Sequence, residues 1–192
     1  NALTWQHAAI TREQRERLTG QRGRVIWLTG LSGAGKSTLA FALEQRLHAL
    51  GHPSFVLDGD NVRHGLCADL GFSPDDRTEN LRRVAEVAKL FCEAGLICIA
   101  AFISPTTVDR EMVRRIVGSE NFCEVYVDCA LEVCEARDVK GLYQKARAGA
   151  IPLFTGISAP YEPPHEPDLR LPTHQMSIEE CIEQLLGVAY SN

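Results

Sequence analysis

The chain alternates two kinds of hydrophobic pattern. Arg24 to Thr29 (RVIWLT), Leu96 to Ile103 and Phe122 to Val127 are apolar at nearly every position, which predicts buried strands. Ser54 to Leu57 is a shorter run of this kind, ending at Asp58-Gly59-Asp60, and Leu169 to Leu171 predicts a last strand. Between the runs, apolar positions recur every three or four residues. Leu39, Leu43, Leu47 and Leu50 make one helical stripe starting from Lys36, stopped by Gly51 and Pro53. Leu81, Val84, Ala88 and Phe91 make a second, which ends at Gly95. It starts at Ser73-Pro74-Asp75-Asp76, where a serine can cap and early acids suit the helix dipole. Further helices are predicted from Pro105 to Val117, Leu131 to Ala136 and Ser177 to Leu186. Residues 61–75 predict irregular chain or a short helix, and 137–167 a long excursion with a short helix and several prolines.

Strands that are apolar throughout must be covered on both faces. Their alternation with helices predicts a three-layer α/β fold, a mainly parallel, doubly wound sheet with helices on each side. A length of 192 residues, 45% hydrophobic, fits one such domain. Residues 1–22 are polar and predict an N-terminal appendage with a short helix, capped by Thr11 with Gln14 at the box position. The domain proper is expected over 23–192. The first residue is Asn1 rather than Met, which predicts a trimmed chain or a piece of a longer one.

Composition removes several function classes. Twenty Lys+Arg against 25 Asp+Glu give a formal net charge of −5, against a role in gripping nucleic acid. No apolar run approaches the roughly 18 residues of a membrane helix, and the N-terminus has no signal pattern. The seven cysteines form no C-x-x-C pair and sit largely in apolar segments, so they predict reduced thiols, no zinc site and a cytoplasmic setting.

The chemistry begins at Gly30-Leu31-Ser32-Gly33-Ala34-Gly35-Lys36-Ser37, which satisfies G-x-x-x-x-G-K-[ST] between an apolar strand and a periodic helix. Glycines let backbone N–H groups curl around phosphate oxygens, and the helix N-terminus adds its positive end. Lys36 is placed to reach the β- and γ-phosphates of ATP, and the Ser37 hydroxyl to hold Mg²⁺. No guanine-reading [NT]-K-x-D occurs, which excludes a switch GTPase. A small metabolite kinase fits the order of phosphate loop, acceptor region and basic lid.

The acceptor region is expected from Asp58 to Arg83. Asp58 and Asp60 stand at a strand's C-terminal end, where open α/β sheets bind ligands. Arg63, Arg77 and Asn80 suit an anionic substrate with a hydroxyl to phosphorylate. The lid is expected over 137–156, with Arg137, Lys140, Lys145 and Arg147. Phe72 and Phe154 lie in loop contexts and could clamp a flat ring. Two alternatives stand beside this reading: another small kinase acting on a nucleotide or sugar acid, and a nucleotide-binding regulatory domain without turnover.

Six strings then make the chain resemble the adenylylsulfate kinases: GLSGAGKST (30–38), LDGDNVRHGL (57–66), DLGFSPDDRTEN (69–80), AAFISP (100–105), ARDVKGLY (136–143) and FTGISAPYEPP (154–164). They span most of the domain in the family's order. The resemblance implies a P-loop kinase fold. It implies transfer of the γ-phosphoryl of MgATP to the ribose 3′-hydroxyl of adenosine 5′-phosphosulfate, giving 3′-phosphoadenylylsulfate and ADP in sulfate assimilation. It puts Gly30, Ser32, Gly33, Ala34, Gly35, Lys36, Ser37 and Thr38 around the ATP phosphates, and Arg137 against its adenine. Asp60 becomes the base or metal-water orienter beside the 3′-hydroxyl. Arg63, Arg77 and Asn80 become the phosphosulfate binders, and Phe72 and Phe154 the rings that sandwich the acceptor adenine. Asn61, Ile103, Lys140 and Leu142 join the substrate contacts. Ser104 matches the family's serine proposed to carry a phosphoenzyme intermediate, with a hydrogen bond to substrate as its other reading. The implied assembly is a homodimer, with fusion to a sulfurylase subunit in some parent chains.

Overall fold

The run Arg24–Thr29 becomes β1, buried along its whole length at the centre of a parallel sheet. Its neighbours are β3 (Ile97–Ala101) and β4 (Phe122–Asp128), with β2 (Ser54–Asp58) and β5 (Leu169–Pro172) at the edges. The order among the described residues, 3–190, is β2-β3-β1-β4-β5. Asn1, Ala2, Ser191 and Asn192, which fall in the predicted appendage and at the end of the domain, lie outside the residues that this computed structural model describes.

Strand alternation divides the core in two. Ile26 and Leu28 of β1 face one cluster, with Leu43 and Leu47 of α2 (Lys36–Ala49) and Leu185 of α7 (Ile178–Tyr190). Val25 and Trp27 face the other, with Val84 and Ala88 of α3 (Pro74–Glu93) and Val113 of α4 (Thr107–Val117). Every one of these side chains is fully buried or nearly so, and truncating a leucine such as Leu43 to alanine costs about 2–5 kcal/mol in sites of this kind. The chain leaves β1 towards β2 on one side, and β3 towards β4 on the other. This reversal opens a crevice at the carboxyl ends of the strands.

The helical starts follow the capping residues. Ser73 accepts the Asp76 N–H (3.1 Å) at the start of α3. Thr11 and Gln14 form both halves of the capping box on α1 (Arg12–Thr19). No residue of α1 is buried, but Arg12 donates to the Gly23 carbonyl (2.7 Å) and Gln21 to those of Pro53 and Gly95. α5 (Leu131–Arg137) is the helix predicted from Leu131 to Ala136, and α6 (Leu142–Arg147) is the short helix of the predicted excursion.

Three boundaries differ from expectation by two residues or more. α7 runs on to Tyr190 rather than stopping at Leu186. β3 stops at Ala101 rather than Ile103, because the chain turns through Ser104 with φ of 41°. α4 begins at Thr107 rather than Pro105: Thr106 is the cap, its hydroxyl accepting the Asp109 N–H (3.2 Å), while the Pro105 carbonyl accepts from Glu162 N–H (2.8 Å). All seven cysteines are free thiols. Among the described residues no helix is long and apolar enough to cross a membrane.

Candidate active site

The loops after β1, β2 and β3 enclose, with α5, α6 and the chain after β5, a cleft of about 1130 Å³. One end is the phosphate loop. Ser32, Gly33, Ala34, Gly35, Lys36, Ser37 and Thr38 all line it. Gly30 does not: it lies behind the loop, where a Cβ would stand 2.5 Å from the Val127 carbonyl oxygen. Gly30 shapes the turn from behind the cleft wall. Gly33 has φ of 77° and packs on the Cys134 carbonyl, so glycine is required for both conformation and space.

Lys36 is buried, and its ammonium donates to the carbonyls of Gly30 (2.9 Å) and Leu31 (2.7 Å). Burial pushes its pKa down to about 8, partly opposed by the nearby Asp58 and Asp60. The loop's own carbonyls are also taken up: Tyr143 Oη donates to Ser32 (2.8 Å), Arg137 to Gly33 (3.2 Å) and Thr173 Oγ1 to Ala34 (2.7 Å). Arg137 thus sits at the loop, where the sequence expects a lid residue against the adenine of ATP. Thr173 and Met176 line the cleft outside every motif string, and Tyr143 closes the string ARDVKGLY without a role being read from it.

At the floor, Ser37 Oγ donates to Asp58 Oδ2 (2.6 Å), while Asp58 Oδ1 accepts the backbone N–H of Asp60 (3.0 Å). Hydroxyl and carboxylate oxygens together are a hard donor set, the kind a phosphate-bound Mg²⁺ uses. The sequence puts Asp58 at the strand end without showing this pairing. Asp60 lines the cleft and is ion-paired with Lys140 of the excursion. Asn61 is not brought in. It opens a short 3₁₀ turn (Asn61–His64) as an exposed residue, with the adjacent Val62 taking the buried position.

The other end gathers Arg63, Phe72, Arg77, Asn80, Ile103, Leu142 and Phe154. The Arg63 guanidinium stacks on the Phe72 ring, 4.2 Å from its centroid. Arg77 joins two loops: Nε donates to the Phe72 carbonyl (2.9 Å), Nη2 to Leu153 (2.7 Å) and Nη1 to Thr155 Oγ1 (3.2 Å). Phe154 is buried, edge-on to Tyr143 at 5.1 Å. Asn80 is buried, and its amide nitrogen has no hydrogen-bond partner. An orphaned donor in a cleft wall is costly unless a ligand completes it. Ser104 lines the cleft too, but its hydroxyl is committed: it accepts from Trp27 Nε1 (3.1 Å) and donates to Thr29 Oγ1 (2.8 Å).

A model of the adenylylsulphate kinase family matches residues 22–172. The chain belongs to that family. It is 55% identical over 184 residues to an adenylyl-sulfate kinase of Acaryochloris marina, covering 96% of this chain and 90% of that one. It is 56% identical to that of Vibrio cholerae, covering 96% and 86%. Among solved structures it resembles a Mycobacterium tuberculosis APS kinase in complex with AMPPNP and APS, with a TM-score of 0.84 and 48% identity over 88% of this chain and 98% of that one. As an adenylylsulphate kinase the chain is a P-loop enzyme, and the parallel sheet with its phosphate loop is that fold.

The Lys36 environment sets a pH dependence. Lys36 is charged below about pH 8 and loses its proton above it. For ATP, kcat/KM should therefore be flat up to about pH 8 and fall beyond. The limb in kcat should lie higher, since bound phosphates favour the ammonium. A kcat/KM for ATP that stays flat to pH 10 would overturn the assignment of Lys36 as the phosphate cation.

Proposed function

We propose that the chain transfers the γ-phosphoryl of MgATP to the ribose 3′-hydroxyl of adenosine 5′-phosphosulfate, giving 3′-phosphoadenylylsulfate and ADP in sulfate assimilation. The observation that carries this reading is one cleft whose two ends differ. One is a complete phosphate loop. The other has two aromatic rings, two arginines and the unpaired Asn80 amide.

In this reading ATP lies with its phosphates on residues 32–38 and its base between Arg137 and the chain at Thr173 and Met176. Ser37 and Asp58 would hold Mg²⁺, which when bound neutralises charge on the transferring phosphates. Lys36 exchanges its carbonyl partners for phosphate oxygens. Asp60 accepts or orients the 3′-hydroxyl proton, and Lys140 holds that carboxylate as the 137–156 lid closes. Transfer in line needs no covalent step. We therefore assign Ser104 to positioning: its committed hydroxyl and the Arg110 bond to its carbonyl (2.8 Å) fix the turn that carries Ile103. The seven free thiols suit a cytoplasmic setting. A homodimer is the assembly we expect, alone or within a fusion to a sulfurylase subunit, and sedimentation measures it.

The test is ADP release with adenosine phosphosulfate as acceptor, and identification of the 3′-phosphorylated product. Equal release with a sugar acid or another nucleotide would overturn the substrate assignment.

Two variants probe the acceptor end. Arg77→Ala should raise the KM for adenosine phosphosulfate by about ten- to a hundredfold, because it removes a charged group and unties the loops that carry Phe72 and Phe154, and barely change that for ATP. Phe154→Ala should act likewise but less strongly, because stacking on a base is worth roughly 1–3 kcal/mol. Steady-state kinetics with each substrate varied in turn is the check. A loss confined to ATP would move the acceptor site elsewhere.

A further inference from the structure

Tyr143 is fully buried on α6, with contacts at both ends of the cleft. Its hydroxyl donates to the Ser32 carbonyl of the phosphate loop at 2.8 Å. Its ring meets Phe154 edge-on, with centroids 5.1 Å apart and planes at 79°. Its own backbone N–H is fixed by Asp138 Oδ1 (3.0 Å), so the start of α6 is held in place. No other side chain for which a bond is described touches both the phosphate loop and a ring of the acceptor end.

The consequence follows from peptide geometry. In a trans peptide the carbonyl and the following N–H point in opposite directions. Holding the Ser32 carbonyl against α6 turns the Gly33 N–H the other way, and Gly33 lines the cleft. The aromatic edge meanwhile seats Phe154. That residue's carbonyl accepts from Ile157, Ser158 and Ala159 (3.0–3.1 Å), and its N–H donates to Ser158 Oγ (2.8 Å). The backbone at Phe154 is thereby fixed, leaving ring orientation to its neighbours. Phe154 follows Leu153, which stands at φ of 53° and gives its carbonyl to Arg77.

We propose that Tyr143 is a positioning residue with two separable duties: its hydroxyl sets the phosphate loop for ATP, and its ring sets Phe154 for the acceptor nucleoside. The proposal rests on the assignment of ATP to the loop and of the acceptor to the Phe154 end. The two duties predict different losses from two substitutions. Tyr143→Phe removes only the hydroxyl. It should weaken AMPPNP binding about three- to tenfold, the net worth of one hydrogen bond. Affinity for adenosine phosphosulfate should stay within about twofold of the original. Tyr143→Leu removes the ring as well and should weaken both ligands.

The experiment is calorimetric titration of each variant with AMPPNP and, separately, with adenosine phosphosulfate, with melting temperature recorded alongside. A Tyr143→Phe protein that binds AMPPNP as tightly as the original, or loses both ligands equally, overturns the proposal. So does a Tyr143→Leu protein that loses only AMPPNP. If Tyr143→Leu does not fold, Tyr143→Met fills the same space without ring or hydroxyl. It should weaken both ligands, and a Tyr143→Met protein that keeps its affinity for adenosine phosphosulfate overturns the proposal. Failure of the original protein to bind adenosine phosphosulfate would instead overturn the function on which the proposal rests, so the two failures are distinct.

Discussion

Lys36→Ala should reduce phosphoryl transfer by on the order of 10³-fold and leave the fold standing. The ammonium is the cation nearest the loop's carbonyls, bonded to Gly30 and Leu31. In the reaction those bonds give way to phosphate oxygens, whose charge grows and shifts in the transition state. A fixed cation in a water-poor site is worth most at that moment, and removing one such group typically costs about 10²–10³-fold or more. Stability should not fall with activity. Burial already works against the charged form, which is why the pKa sits at about 8 rather than at the 10.5 of a free lysine. A lysine with a depressed pKa penalises the folded state fully below its folded pKa, and the penalty fades as pH rises from about 8 to 10.5. At pH 7 the alanine variant escapes that penalty, so its melting temperature should match or exceed the original. The check is single-turnover transfer beside thermal unfolding. Near-normal turnover by a folded Lys36→Ala protein would remove this loop from the mechanism.

The parts of this architecture that were legible in the sequence are those determined locally. β1 is apolar at all but its ends, and a six-residue apolar run rich in β-branched and aromatic residues favours a strand covered on both faces over a helix. The phosphate loop is a string of fixed residue types between a strand and a helix, and the structure puts seven of its residues in the cleft. Three features depend on distant parts of the chain and left no local trace. The Ser37–Asp58 bond joins residues that only the sheet brings together. The turn at Ser104 holds a left-handed conformation that a serine rarely adopts, kept there by Arg110 from α4 and Trp27 from β1. An apolar pattern running to Ile103 cannot reveal that turn. Arg77 reads in the sequence as an anion binder, yet its donors are on the loops that carry the two phenylalanines. Charge patterns show that a cation is present, but not which acceptors it meets. Asn61 sits in a string full of site residues, but the 3₁₀ turn sends Val62 inward and leaves Asn61 exposed beside the cleft, which the string alone does not show.

Asp60→Asn should lower kcat by about 10²–10⁴-fold, the usual worth of a positioned proton acceptor, while the KM for ATP changes little. The carboxylate lies at the carboxyl end of β2, with its backbone N–H on Asp58 Oδ1 (3.0 Å). Lys140 pairs with it from the segment before α6. Asparagine keeps the shape and loses the charge, so it can neither accept the hydroxyl proton nor hold the Lys140 ammonium by charge. The ion pair is well exposed on both sides, and such pairs add little to stability. The melting temperature should therefore hold, which separates a chemical loss from a structural one. Asp58→Asn gives the contrast. It removes charge from the oxygen that Ser37 holds, so it should raise the Mg²⁺ concentration needed for half-maximal rate, where Asp60→Asn should not. Lys140→Met adds a further step: with the carboxylate present but unheld, kcat should fall less than for Asp60→Asn, and combining the two should cost little more than Asp60→Asn alone. The measurements are kcat and KM for ATP and for adenosine phosphosulfate, each at several Mg²⁺ concentrations. If Asp60→Asn weakened ATP as much as it slowed turnover, and excess Mg²⁺ restored both, Asp60 would belong with Ser37 and Asp58 as a metal ligand. The acceptor hydroxyl would then need another base.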